Sequence, residues 1–170
     1  LKSKKTESLP ETAGSFFMRK IIVPASCLFP SACVIIQPWR EERMYKRYNP
    51  NPIAARVGDC TVRALSKALD QDWDKTYLQL CVQGLLMADM PSANAVWGAY
   101  LHDKGFRRGI VSEACPICYN VASFAAEHPQ GVYVLALGSH VVTVVDGDYF
   151  DTWDSGQEIP LYFWERSDEA

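Results

Sequence analysis

Residues 140–153 read HVVTVVDGDYFDTW. Two β-branched and aromatic runs flank Asp146-Gly147, the strongest short-range hairpin signal in the chain. A two-residue turn there fixes the register. Val145 lies opposite Asp148, and counting back puts His140 opposite Trp153. Side chains alternate faces along a strand, so Asp151 shares the face of His140, one diagonal step away. Trp153 then covers the pair and limits water. A three-residue turn would instead bring Asp154 opposite His140. The Asp-Gly signal favours the first register, so Asp151 is the expected neighbour of His140 and Asp154 the alternative.

An imidazole that opens an apolar strand needs a reason. The chain has three histidines. His102 and His128 each close a predicted helix, where a C-terminal cation is ordinary. His140 follows Gly138-Ser139 and has no such role. A partner that would explain it lies in RVGDCTVRAL, residues 56–65. Cys60 opens a predicted helix there, with Asp59 as its cap. The thiolate is the reactive form of cysteine, and the positive end of a helix dipole favours it. Alone, such a cysteine is more often an inert core residue. A base in reach and an acid to orient that base change the reading. Cys60, His140 and Asp151 supply a nucleophile, a base and an orienter. Asp59 and Trp153 flank the pocket.

The rest of the chain supports an α+β plan. Apolar positions Ala64, Leu65, Ala68 and Leu69 recur at helical spacing behind Cys60. Residues 71–90 predict a second helix capped at Asp72 or Asp74. Residues 92–105 predict a third, with Ser92 as cap and Gly105 as stop. Strands are expected at 106–111, 132–138, 140–147, 148–153 and 158–166, with a turn and short helix before Pro129 and Gly131. Helices that come first and a sheet that follows point to N-terminal helices packed on a C-terminal antiparallel sheet.

These residues resemble a known group. A Cys at a helix start, a His at a strand start and an acid or amide on the next strand is the order of papain-like cysteine peptidases. "DTW" (151–153) looks like the Asn-Ser-Trp of many members, with Asp151 in the place of the Asn. The segments RVGDCTVRALSKAL and HPQGVYVLALGSHVVTVVDGDYFDTWDSG look like those of small papain-like proteins from phages and gut bacteria. The resemblance spans about Met44 to Arg166. It implies a papain-like cysteine peptidase fold and a thiol hydrolase, a peptidase or amidase, with peptide or protein substrates and no cofactor. In size the domain is nearer to the leader-trimming peptidases. One departure stands out: the family carries a Gln where this chain has Ala54. The Cys60 N–H remains as one oxyanion donor, and Asn51, or failing that Asn49, is the expected second. Two other readings stay open. The same triad can pass an acyl group to an amine, as transglutaminase-like folds do, or the scaffold can be a binding module without catalysis.

The 170 residues suit one domain plus some extra chain. Net charge is −3, with a basic excess in 1–43 and an acidic excess in 44–170. An acidic domain without a basic stripe argues against nucleic acid, where phosphate neutralisation dominates affinity. Residues 1–43 read as a disordered, signal-like or non-native extension, with Met44 opening the domain. Arg19 and Lys20 precede an apolar run broken by Pro24 and Pro30, short of the ~20 residues of a membrane span. A membrane partner is therefore not expected. The compartment the resemblance implies is the cytoplasm, for a bacterial or phage-encoded protein, with secretion only if residues 18–43 act as a signal. Cys115-Pro-Ile-Cys118 is a lone pair without matching ligands elsewhere. It reads as a turn, and no metal site is expected.

Overall fold

The structure is a computed structural model that describes residues 45–111 and 119–167. These fall within one of the two units into which the chain divides, Pro38–Ala170. The extension 1–43, its boundary at Met44 and the Cys115–Cys118 turn lie outside the described residues. The described elements run β1 (Tyr45–Arg47), α1 (Cys60–Leu69), α2 (Trp73–Met87), α3 (Asn94–Asp103), β2 (Phe106–Ile110), α4 (Val121–Glu127), β3 (Val132–Ala136), β4 (Val141–Val145), β5 (Asp148–Asp151) and β6 (Tyr162–Arg166). They form an α+β fold around one six-stranded sheet in the order β1-β5-β4-β3-β6-β2.

The β4–β5 hairpin has the expected register. Val145 pairs with Asp148, Val144 with Tyr149 and Thr143 with Phe150. Asp146 and Gly147 take φ of 50° and 79°, the two positive values that a type I′ turn demands. β3 and β4 form a second tight hairpin, closed by the Leu137 N–H on the His140 carbonyl at 2.8 Å. His140 is thus fixed at the mouth of β4 by a turn on one side and a strand on the other.

The sheet differs from the expected antiparallel one at its edge. β1 adds to β5 in parallel, Arg47 beside Asp151, and the Tyr48 N–H continues the pairing onto the Asp151 carbonyl at 2.7 Å. Three residues of mixed polarity carry no alternation for sequence reading to detect. Helices also cover both faces rather than one. Val134, Ala136 and Val141 pack with Leu65, Leu80, Trp97 and Leu101 on the α1–α3 side. Leu135, Val142 and Val144 pack with Val121 and Phe124 of α4 on the other. This two-sided burial explains why VVTVV is apolar at nearly every position.

The helix ends depart by a few residues from expectation. α3 begins at Asn94 with Ala93 before it, not at Ser92, because the 90–93 turn closes first through the Ala93 N–H on the Met90 carbonyl. α2 stops at Met87, where Ala88 turns left-handed and Gly84 accepts the Asp89 N–H. β6 starts only at Tyr162, since Glu158 is still turning back on Ser155. Among the described residues no helix is long and apolar enough to cross a membrane.

Candidate active site

Cys60 is the first residue of α1. Asp59 precedes it but does not cap the helix with its side chain, contrary to expectation. Stronger donors claim that carboxylate. The Arg63 guanidinium, one turn on, pairs closely with Oδ1, while Trp73 Nε1 donates to Oδ2 at 2.9 Å and Asn51 Nδ2 at 3.4 Å. The first-turn N–H groups of α1 therefore have no side-chain cap and present the positive helix end beside the thiol.

The thiol faces β4. His140 hydrogen-bonds Cys60, the Val141 backbone does so as well, and the neighbouring Thr61 hydroxyl adds a third contact. Thr143 Oγ1 donates to the Ala64 carbonyl at 2.6 Å, which pins β4 to α1 and sets the distance between base and thiol. On its other side His140 Nε2 meets Asp151 Oδ2 at 2.5 Å. That leaves Nδ1 for Cys60. Asp151 is held in turn: Oδ1 accepts the Thr152 N–H at 2.7 Å, and Arg63 Nη2 stands 3.8 Å from it. The His140 side chain is 16% exposed and that of Asp151 3%.

These contacts set the charge states. Burial alone would raise the Cys60 thiol. The bond to His140, the imidazolium charge and the Val141 and Thr61 contacts outweigh it and bring the thiol below its ordinary value. Burial alone would lower His140. The Asp151 bond, with Cys60 behind it, overcomes this and lifts the imidazole from 6.5 to about 9. Near neutral pH His140 therefore carries its proton, and its charge beside Cys60 favours the thiolate more than at an ordinary thiol.

The other expected residues fall as follows. Trp153 stands beside His140 with ring centroids 5.5 Å apart and is 45% exposed, a partial cover. Asp154 is not the partner of His140. It accepts from the Tyr149 hydroxyl at 2.6 Å and the Gly156 N–H at 3.1 Å. Asn51 is buried, and its Oδ1 accepts from the Ile53 and Ala55 N–H groups while Nδ2 turns to Asp59. Asn49 Oδ1 in turn accepts the Asn51 N–H. These contacts shape the turn before α1 and direct the Asn51 amide, the expected second donor, toward Asp59. His128 meets a backbone group instead of an acid, its Nδ1 lying 2.8 Å from the Phe124 carbonyl. Among the described residues, no cluster of three His, Cys, Asp or Glu is placed to hold a metal ion.

Arg63 is the residue that sequence reading missed. The signal was available: Asp59 and Arg63 stand four apart, the spacing at which helical charges meet. No protein-family model, curated protein or solved structure matches this chain.

Proposed function

We propose that the protein is a papain-like thiol hydrolase that cleaves amide bonds in peptides or proteins. The observation that carries this reading is His140 held between Cys60 and a buried Asp151, with Cys60 at an uncapped helix N-terminus. In the first step the Cys60 thiolate attacks the carbonyl carbon, and the Cys60 N–H donates to the oxygen as it gains charge. The C–N bond breaks as His140 gives its proton to the leaving amine. Neutral His140 then takes a proton from water, whose oxygen attacks the thioester. The acid leaves, and thiolate and imidazolium return. No cofactor enters these steps.

The test is a mixed peptide pool incubated with the protein and followed by mass spectrometry for new amino termini. New termini are expected with the intact chain and none with Cys60→Ala of equal fold. Termini that persist in Cys60→Ala overturn the reading. A second reading, a binding module without turnover, draws on Ala54 and on an Asn51 amide turned to Asp59. A missing oxyanion donor costs about 3 kcal/mol of transition-state stabilisation. No termini from the intact chain, with stable binding of pool peptides, would favour that module. Acyl transfer to an added amine would appear in the same pool as mass-shifted products.

A further inference from the structure

We infer that Arg63 is a positioning residue for the Cys60–His140 pair: clasped by Asp59, its guanidinium holds the Asp151 carboxylate aimed at His140. The inference rests on the thiol hydrolase reading and goes past it to a part of the site with no counterpart in the triad.

The geometry makes Arg63 a bridge rather than half of a local ion pair. Asp59 and Arg63 alone would form a complete pair along α1. Yet the guanidinium also reaches across to β5, Nη1 on Asp59 Oδ1 and Nη2 toward Asp151 Oδ1. All three side chains are nearly buried, at 6%, 11% and 3% exposed. Arginine suits this place because its planar fork offers separate donors to two carboxylates. Asp59 is itself fixed by Trp73 Nε1 and Asn51 Nδ2. The chain of contacts runs from α2 and the 49–55 turn through Asp59, Arg63 and Asp151 to His140. Cys60 and Arg63 lie three residues apart on α1, hence on neighbouring positions of its surface. One helix therefore carries the thiol and also the group that fixes the acid behind its base.

Charge points the same way. Cys60 faces His140, and Arg63 faces Asp151 with Asp59 behind it; from β1, Arg47 pairs with Asp151 in register and the Tyr45 hydroxyl donates to the Asp151 carbonyl at 3.2 Å. Asp154 lies beyond, engaged by Tyr149. Two carboxylates are balanced by Arg63 and His140. Without Arg63, two buried acids share one imidazolium, and Asp151 loses the cation that holds it in place against the like charge of Asp59. A displaced Asp151 no longer holds the imidazolium.

The test is the pH profile of iodoacetamide alkylation at Cys60 in the full chain, read by mass spectrometry. Arg63→Gln, Arg63→Lys and His140→Ala are compared, each confirmed folded by near-ultraviolet circular dichroism. Arg63→Gln is expected to move the alkylation profile about one pH step upward, which slows alkylation about ten-fold at any pH on its acid limb. Arg63→Lys keeps the charge but not the fork and is expected to fall between. If Arg63→Gln does not fold, Arg63→Lys decides alone. A profile like the intact chain's in either folded Arg63 variant, with His140→Ala slowed, overturns the inference and leaves the hydrolase reading standing. A His140→Ala profile like the intact chain's overturns both.

Discussion

His128 and His140 occupy two half-buried settings with different neighbours. His128 ends α4, stacks on Phe124 with ring centroids 3.8 Å apart and meets a backbone carbonyl. His140 opens β4, lies tilted beside Trp153 and meets a buried carboxylate with a thiol on its other side. The first ring works as an aromatic filler with a polar edge. The second is set to carry a proton. What separates them is the charge of the neighbour and not the degree of burial.

The largest expected effect breaks that contrast outright. His140→Ala should lower any turnover about 10²–10⁴-fold, the range for loss of a general acid–base group. His128→Ala should leave Cys60 reactivity unchanged and cost stability instead, about 1 kcal/mol from the lost stacking. Cys60 alkylation and urea unfolding of the two variants check this.

Asp151→Asn sharpens it next. The amide keeps the shape and removes the charge. His140 is then expected to lose its proton well below about 9, and the alkaline limit of activity to fall with it. Turnover at pH 8 should drop about ten-fold or more, because above its pKa a group's protonated fraction falls about ten-fold for each pH step. A pH–rate profile of the variant beside the intact chain checks this.

A smaller effect concerns stability in Cys60→Ala, where His140 keeps Asp151 but loses the thiolate. A raised imidazole stabilises the fold fully below its unfolded value of 6.5, and that gain fades as pH rises through the folded value. With Cys60 gone the folded value should sit between 6.5 and about 9. Urea midpoints of this variant should therefore fall across that window. The intact chain should change less there, because a thiol lowered in the folded state gives up a proton that the unfolded thiol keeps, which offsets the proton held by His140. The smallest effect is Thr143→Val, which removes the bond to the Ala64 carbonyl and should cost about 1 kcal/mol in the same urea experiment.

Much of this was legible in the chain. Asp146-Gly147 dictated a turn whose backbone only a few residue types accept, and the turn dictated the register that separates Asp151 from Asp154. Cys60 was legible as a helix start. Three features were not. β1 is too short to show a period. The role of α4 on the second face depends on a tertiary choice that alternation in β4 cannot reveal when both faces are apolar. Asp59 reads as a cap because capping is the local rule, and a buried guanidinium overrode it. The Asn51 contact was hidden in the same way: its amide has a buried acid to satisfy, which the turn sequence does not reveal.

The most direct measurement is the ionisation of His140 followed by nuclear magnetic resonance of its ring, assigned by loss of the signal in His140→Ala. The expected ring stays protonated through neutrality, loses its proton near 9, and titrates lower in both Asp151→Asn and Cys60→Ala. A ring that titrates at its ordinary 6.5 and ignores both substitutions would contradict the thiolate–imidazolium pair on which the proposed function rests.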